Sequence, residues 1–594
     1  MKSTARKAII LSTLSLLLSP SAFPQTTINI KILQTSDVHG AIFPYDFIGN
    51  KPMESSLAQV YTYVRQERSN ANQQVILLDN GDILQGQPPV YYSNFIDSSS
   101  ANLVSRVFNY MDYDAATIGN HDIEAGPTVY RKVEKEFKFP WLAANAINTS
   151  FGKPAFTPYT IIKRNGIRIA VLGLTTPGIP RWLPKVLWPD MRFDDMVTTA
   201  RYWIDYLQKN EKPDIIVGLF HAGHDASYGG ASDKDPLNEN ASLLVAEQVP
   251  GFDVVFIGHD HDKFIRKVAN IQGDSVLVLD PRSSARLISQ AAITLTLDKR
   301  GKTIAKNISG DLIETRNFAP DSGFMATFSA DYSKVSEFVQ RQIGEFTQTT
   351  TSADAYFGPS TFIDFIHTAQ LNLSKADISF AAPLSFVSTI KQGDITVSDM
   401  FKLYRFENFL YTMSLTGKEV DAYLEYAVSL WFNTMKSPDD NLIKFRMNAD
   451  GSVQTNSQGK VQLSSNYYNF DSAAGVIYTV DVSKPDGEKV TILSMADGAP
   501  FSEGKVYAVA INSYRGNGGG GHLTKGCGLS SEELQKRLIS STEKDLRFYI
   551  MNYIVQKQTI TPTSLNSWRL VPEDWVKWAV ERDKKLLFSS SSNE

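Results

Sequence analysis

The chain has 594 residues, which is too long for a single ordinary core, and its hydrophobic fraction of 42% and charged fraction of 21% are those of a globular protein. Its formal net charge is only -4, so the chain lacks the large positive charge that is typical of proteins that bind a nucleic acid polymer or an anionic membrane. A phosphate-bearing substrate must therefore be held by local chemistry.

The first 25 residues have the pattern of a bacterial secretory signal peptide. Three basic residues precede an apolar stretch at 8–18, which is about half of the roughly 20 residues that a spanning helix needs. We expect cleavage between Ser21 and Gln25, a periplasmic or secreted location, and no membrane attachment afterwards. A permanent membrane anchor is the alternative. Cys527 is the only cysteine, so an internal disulfide is excluded.

Between residues 29 and 297 short β-rich runs alternate with amphipathic segments. Strands separated by helices predict a layered α/β domain, in which ligands gather outside the carboxyl ends of the strands. The predicted strands lie at 28–35, 75–79, 115–118, 169–174, 214–220, 253–258 and 275–280.

A charged, weakly apolar segment at 322–346 predicts an exposed helix that joins two units. The second unit begins with a helical pattern at 362–373 and continues to a glycine-rich loop at 513–522. We therefore predict a first domain at 26–320, a linker helix at 321–350 and a second domain at 351–585, after the signal peptide at 1–25.

Polar residues with metal-binding side chains follow five of the predicted strands, and six of the eight histidines are among them. Asp, Asn and His side chains suit Zn, Mn, Fe or Co better than an all-oxygen calcium site. In D-x-H and H-x-H, alternate residues of an extended chain point the same way and can reach one ion. The five groups are Asp37 with His39, Asp82, Asn120 with His121, His221 with His224, and His259 with His261.

The stretch at 116–126 also has a purely structural explanation. Asn and Gly end strands, and acidic residues favour the first turn of a helix because of its dipole. Five such groups in order along the chain favour the metal-binding explanation.

The ordered motifs D-x-H, G-D, G-N-H, H and G-H-x-H resemble those of the dinuclear calcineurin-like metallophosphoesterases. From about residue 28 to 570 the chain is similar to the secreted two-domain nucleotidases. These include 5'-nucleotidases with UDP-sugar hydrolase activity and 2',3'-cyclic-nucleotide 2'-phosphodiesterases with 3'-nucleotidase activity. The resemblance implies a layered α/β/β/α metallophosphoesterase domain followed by a smaller α+β substrate-binding domain.

The resemblance also implies two divalent ions, Zn, Mn or Co, in two ligand sets that share one carboxylate. One set is Asp37, His39 and His261, the other is Asn120, His221 and His259, and Asp82 bridges them. His121 matches the family's catalytic histidine, which is not a ligand. An aspartate orients this histidine in the best-known relatives from three residues further on, where this chain has Glu124. Asp122 is the competing candidate, and His224 is expected to be structural.

Such a site performs metal-dependent phosphoric ester hydrolysis. Two cations about 3.5 to 4 Å apart neutralise the phosphoryl oxygens and provide hydroxide near neutral pH, which attacks phosphorus. His121, as a cation, would stabilise or protonate the departing ribose oxygen.

The resemblance places a nucleobase between two aromatic rings of the second domain, here Phe406 and Tyr514. Packing of Phe406 in a core is the alternative. The glycines beside Tyr514 favour a functional role for this residue, because a ring that is exposed there has little else to pack against. The stretches 376–386 and 468–485 look closer to the cyclic-nucleotide phosphodiesterase branch of the family.

We therefore expect a monomer that hydrolyses 2',3'-cyclic nucleotides and 3'-nucleotides, with 5'-nucleotides close behind. Alternatives are a broad-specificity phosphohydrolase for UDP-sugars or non-nucleotide esters, and an inactive metal-binding surface protein.

Overall fold

The computed structural model describes residues 26–456 and 459–588, so the predicted signal peptide lies outside the described residues. Across these two ranges the structure contains no helix that is both long and apolar enough to cross a bilayer.

Two six-stranded sheets form the centre of the first domain. In spatial order, the strands of the first sheet are Thr303–Glu314, Leu287–Leu297, Thr26–Thr35, Gln74–Asp79, Ala115–Thr117 and Trp141–Leu142. Those of the second sheet are Lys263–Ala269, Ser275–Pro281, Val254–Ile257, Ile215–His221, Ile167–Thr175 and Tyr159–Arg164.

The two sheets pack face to face through one apolar cluster. It contains Ile32 and Ile76 of the first sheet with Val217 and Phe256 of the second, all four fully buried. Four adjacent strands in each sheet run parallel, so their carboxyl ends meet at one edge.

Helices cover the outer face of each sheet. The helix Leu57–Arg68 begins at Ser56, whose side chain accepts from the amide of Ala58, and it buries Leu57, Val60 and Val64 at helical spacing. The helices beside the first sheet are Leu57–Arg68, Leu103–Tyr110 and Pro127–Glu136, and those beside the second are Met196–Tyr206 and Ser242–Gln248. The predicted α/β/β/α layering is therefore confirmed.

The segment after the first domain differs from the single exposed helix that we predicted at 321–350. Two helices, Ser322–Thr327 and Ser329–Gln340, meet at Phe328, and residues Gln342–Phe346 form a strand. Each helix buries one apolar face, as the side chains of Phe324 and Phe338 show. The sparse apolar content therefore fits helices that bury one face and expose the other.

The second domain combines antiparallel and parallel strands with helices, as the α+β prediction requires. Its five-stranded sheet has the order Ser472–Ala474, Ile378–Ala381, Val506–Asn512, Phe409–Thr416, Leu538–Asp545. A three-stranded sheet has the order Val490–Met495, Val476–Asp481, Trp568–Val571, and another has the order Gly393–Thr396, Gln342–Phe346, Thr559–Ile560. Its main helices are Thr361–Ser374, Val397–Leu403, Gly417–Trp431, Ser531–Arg537, Leu546–Lys557 and Glu573–Phe588.

Candidate metal centre and active site

All five predicted groups of polar residues lie together beyond the carboxyl ends of the two sheets. Five of their members hold a backbone conformation in the left-handed region, which non-glycine residues adopt uncommonly and at an energetic cost. These are Asp37 (φ 50), His39 (φ 47), Asp82 (φ 58), His259 (φ 80) and His261 (φ 58). Strain of this kind gathers at functional sites because the surrounding fold must maintain it.

The first cluster consists of Asp37, His39 and His261, whose ligand atoms all lie within 4.8 Å of one another. His39 Nδ1 lies 3.1 Å from the carbonyl oxygen of Gln85, a contact that requires a proton on Nδ1. Burial and the neighbouring His261 lower the pKa of His39 to about 3. His39 Nε2 therefore carries a lone pair, and it faces Nε2 of His261 at 3.0 Å. Asp37 Oδ1 lies 3.4 Å from the same His261 atom.

The second cluster consists of Asp82, His221 and His259, with Asn120 beside them. His221 Nδ1 lies 2.6 Å from the carbonyl oxygen of Asn80, so this ring is also held by the backbone. Its Nε2 lies 3.1 Å from Asn120 Oδ1 and 3.2 Å from Asp82 Oδ2. Burial disfavours a charged ring, but Asp82 raises the pKa of His221 to about 9. The pocket therefore favours positive charge beside His221 Nε2.

Asp82 lies between the two clusters. Its Oδ2 is 3.2 Å from His221 Nε2 and 3.9 Å from His39 Nε2, while its Oδ1 accepts from the amide of His121 at 2.8 Å. A Cβ atom at Gly119 would lie 2.1 Å from Asp82 Oδ1, so only glycine leaves room for this carboxylate. One carboxylate oxygen can thus reach both clusters.

The donor chemistry of the two clusters fits two divalent transition-metal ions. Imidazole nitrogens, carboxylates and an amide oxygen converge in these clusters, and these are the donor types that divalent transition-metal ions prefer. Backbone carbonyls fix the tautomers of His39 and His221, as is usual for histidine ligands.

His121 lies beside the first cluster, with its ring centroid 5.4 Å from that of His39. Its Nδ1 contacts Oε2 of Glu124. Burial opposes protonation of the ring, but the carboxylates of Asp82 and Glu124 outweigh burial and raise the pKa of His121 to about 10. Among the described residues Nε2 of His121 has no hydrogen-bond partner, so it is the nitrogen available to a substrate.

Asp122 does not face His121. Its two carboxylate oxygens accept from four backbone amides, those of Asp82, Ile83, Leu84 and Gly119, at 2.7 to 3.0 Å. Of the two carboxylates that the sequence left open as partners of His121, the geometry favours Glu124. Asp122 instead fastens two ligand-bearing loops to each other.

His224 belongs to neither cluster. Its Nδ1 lies 2.8 Å from Asp260 Oδ2, and its ring stacks on Phe264 with a centroid distance of 4.5 Å. This pair fastens the loop at 222–225 to the loop that carries His259 and His261, as expected of a structural histidine.

The two predicted stacking rings lie in the second domain but differ from expectation in their packing. Tyr514 is half-buried, not exposed: its ring covers Gly519, where a Cβ atom would come within 2.6 Å of it. Burial also raises the pKa of Tyr514. Phe406 is half-buried and packs against an apolar cluster that contains Phe401. The two rings make no mutual contact among the described residues, so the nucleobase clamp stays a prediction.

Arg515, which the sequence analysis did not single out, holds the glycine-rich loop in place. Its side chain is buried and pairs with Asp471, with Nη2 2.8 Å from Oδ1, while Nη1 donates to the carbonyl oxygen of Gly519 at 3.3 Å. The sequence shows an arginine beside Tyr514 but gives no sign of the distant Asp471, so this pairing could not be predicted.

The layered fold and the two His/Asp clusters define a metallophosphoesterase. Consistent with this, the chain matches the family model for calcineurin-like phosphoesterases over residues 30–263 and the model described as 5'-nucleotidase, C-terminal domain over residues 342–525. The chain belongs to the two-domain nucleotidase and cyclic-nucleotide phosphodiesterase family, which joins these two domains, and it is a hydrolase of the metallophosphoesterase family.

Relatives match over nearly the whole chain. The trifunctional nucleotide phosphoesterase protein YfkN of Bacillus subtilis is 26% identical over 95% of this chain, which spans only 40% of that protein. A 2',3'-cyclic-nucleotide 2'-phosphodiesterase/3'-nucleotidase of Yersinia enterocolitica is 25% identical, covering 94% of this chain and 91% of that protein. The solved structure of a 5'-nucleotidase precursor from Thermus thermophilus has a TM-score of 0.60 at 20% identity, covers 92% of this chain and 100% of that chain, and shows the shared fold.

Proposed function

We propose that the protein is a dinuclear-metal nucleotide phosphohydrolase that acts on 2',3'-cyclic nucleotides and 3'-nucleotides. In this proposal Asp37, His39 and His261 hold one ion, and Asn120, His221 and His259 hold the other. Asp82 bridges the two ions, and His121 acts on the leaving group.

The observation that carries the proposal is the position of Asp82 Oδ2 between Nε2 of His39 and Nε2 of His221, at 3.9 and 3.2 Å. A single carboxylate oxygen placed in this way would serve two cations, one in each cluster. An inactive metal-binding protein would have no need of such sharing, nor of a cationic histidine beside it.

Two divalent ions, when bound, supply positive charge for the phosphoryl oxygens and lower the pKa of a water molecule. The chain itself orients the reaction. Glu124 holds Nδ1 of His121, so the proton on Nε2 is available to the oxygen that leaves phosphorus. The carboxylates of Asp82 and Glu124 raise the pKa of His121, and a proton on this ring would stabilise the negative charge that develops on the leaving oxygen.

The choice of substrate is supported by the relatives that match from end to end. Proteins of Yersinia enterocolitica, Salmonella typhimurium and Haemophilus influenzae that cover 92 to 94% of this chain are named 2',3'-cyclic-nucleotide 2'-phosphodiesterase/3'-nucleotidase. The match to the protein UshA of Escherichia coli covers 67% of this chain.

An assay panel tests the proposal. The purified protein is supplied with Mn²⁺, Co²⁺ or Zn²⁺ and given 2',3'-cyclic AMP, 3'-AMP, 5'-AMP, UDP-glucose and bis-p-nitrophenyl phosphate. We expect the highest kcat/KM for 2',3'-cyclic AMP and 3'-AMP. A preference for 5'-AMP or UDP-glucose would contradict the proposed choice of substrate. The absence of any metal-dependent hydrolysis would contradict the proposed function.

A further inference from the structure

Trp182 lies at the junction of the second metal cluster and the second domain. It ends the short helix Ile179–Trp182, which follows a strand of the second sheet. Its indole ring stacks on the imidazole of His259, with centroids 5.4 Å apart and planes inclined by 28°. This distance is within the range of about 4.5 to 7 Å that offset-stacked rings prefer.

His259 differs from His39 and His221 in how its ring is held. Backbone carbonyls hold the rings of His39 and His221 through their Nδ1 atoms. No hydrogen bond or ion pair to a ring nitrogen of His259 occurs among the described residues, and its backbone is in the left-handed region at φ 80. The broad face of Trp182 therefore takes the orienting role that a hydrogen bond to a backbone carbonyl has at His39 and His221.

The indole of Trp182 is itself held in place by neighbouring residues of its own segment. Its ring folds over Gly178, where a Cβ atom would lie 2.5 Å from the ring. The guanidinium of Arg181 lies 5.9 Å from the ring centroid, and Arg181 also donates to the carbonyl oxygen of Leu237. A rigid ring of this kind can restrict the rotation of His259.

The backbone of Trp182 meets the glycine-rich loop of the second domain. Asn517 Nδ2 lies 3.5 Å from the carbonyl oxygen of Trp182 and 3.5 Å from the hydroxyl of Tyr411. The backbone amide of Asn517 donates to the carbonyl oxygen of Ser513, the first residue of the short helix that carries Tyr514. One residue thus contacts a metal ligand with its ring and the predicted substrate loop with its backbone.

We propose that Trp182 is the positioning residue of His259 and that, through Asn517, it sets the glycine-rich loop relative to the second metal ion. The inference rests on the proposed function, because it takes His259 as a metal ligand. Partners that orient metal ligands typically contribute about 10- to 100-fold to metal affinity. Loss of the indole should therefore weaken the binding of one ion and leave the binding of the other unchanged.

Calorimetric titration of the chelator-treated full chain with Mn²⁺ measures both affinities. In Trp182→Ala we expect one ion to bind as in the wild type and the other about 10- to 100-fold more weakly. Trp182→Phe, which keeps an aromatic face, should restore most of the loss. Trp188→Ala, the same change in the same segment, is the matched control, because the indole of Trp188 donates to Leu183 and does not contact His259.

Fluorescence provides a readout that does not depend on the alanine variant folding. The difference in emission between the wild type and Trp182→Phe isolates the signal of Trp182, and Co²⁺ at His259 should quench that signal. Asn517→Ala should leave both metal affinities unchanged and raise KM for 3'-AMP more than it lowers kcat.

The outcomes separate the two proposals. If the wild type binds two ions while Trp182→Ala binds both equally well, or if Co²⁺ leaves the Trp182 emission unchanged, the positioning role is overturned and the proposed function stands. If the wild type binds no ions, the proposed function fails and this inference fails with it. If Asn517→Ala leaves KM unchanged, the link to the substrate loop is overturned.

Discussion

Glu124 contacts Nδ1 of His121 from within the same short helix, Asn120–Glu124. Residues three apart on a helix are neighbours on its surface, so the spacing alone brings the carboxylate to the ring. The contact leaves only Nε2 of His121 to meet a substrate, and this defines what each of the two residues should do.

His121→Ala should leave both metal ions bound and lower kcat by about 10²- to 10⁴-fold, the usual contribution of general acid catalysis. The loss should be smallest for p-nitrophenyl esters, whose leaving group needs little protonation. Metal content by elemental analysis and kcat for 3'-AMP and bis-p-nitrophenyl phosphate check this. An equal loss for both substrates would argue against the role at the leaving group.

Glu124→Gln should show a weaker form of the same pattern, because the amide still contacts His121 but no longer favours its cation. Asp122→Asn is the matched comparison and should behave differently. Its carboxylate accepts from four backbone amides, so the variant should lose about 1 to 3 kcal/mol of unfolding free energy. Thermal melts and leaving-group kinetics distinguish the two. A leaving-group pattern in Asp122→Asn alone would transfer the orienting role to Asp122.

Asp82→Asn should remove most activity and release bound metal, because one carboxylate faces both clusters. The neutral amide supplies less charge to hold two cations near each other. Elemental analysis after dialysis and hydrolysis of 3'-AMP measure the two effects. A variant that keeps two ions and near-normal turnover would show that Asp82 is not the bridge.

Replacing Phe406 and Tyr514 together with Ala should weaken binding of adenine nucleotides by a few kcal/mol, given about 1 to 3 kcal/mol for each base that stacks. Hydrolysis of bis-p-nitrophenyl phosphate should change much less, since this ester has no base. KM for both substrates, and the site of adenosine in a crystal soak, test the clamp. A parallel loss for the two substrates would identify the rings as packing residues.

The Asp471 and Arg515 pair should make the protein sensitive to acid. Burial alone would raise the pKa of Asp471, but Arg515 outweighs it and holds this pKa below its ordinary value of 3.8. A lowered carboxyl pKa stabilises the folded state above pH 3.8, and this stability disappears as the pH falls through the folded value.

Asp471→Asn should therefore lower the unfolding free energy by about 3 to 5 kcal/mol at neutral pH, since it leaves the charge of Arg515 buried without its partner. The difference from the wild type should shrink below pH 3.8. Calorimetric melts from pH 7 to pH 3 measure it, and the exposed Asp439→Asn is the control. A difference that stays constant with pH would contradict the ion-pair explanation.

The candidate metal centre could be predicted from the sequence because each candidate ligand follows a strand, and parallel strands bring their carboxyl ends to one edge. Asp37 and His261 are far apart in the chain, yet the strand pattern alone placed both at that edge. Local spacing also brought Glu124 to His121.

Other features depend on contacts between distant residues and have no local signature. The ring of Trp182 meets His259, and Arg515 meets Asp471, through packing that only the assembled domains create. The exposure predicted for Tyr514 was wrong for the same reason. A glycine has no side chain, so an aromatic ring can pack directly against its backbone, as the ring of Tyr514 does at Gly519. The sequence analysis predicted one helix where the structure has two that meet at Phe328. Each helix buries only one face, so the segment has too few apolar residues to show where one helix ends and the next begins.

The left-handed conformations of five candidate ligands have a consequence for how the protein acquires metal. These residues span positions 37 to 261 and lie in loops that follow strands of both sheets. An unfolded chain therefore has no preformed metal site, so metal binding would follow folding. Because histidine and carboxylate ligands accept several transition metals, the proposed site would take the ion that is supplied where the chain folds.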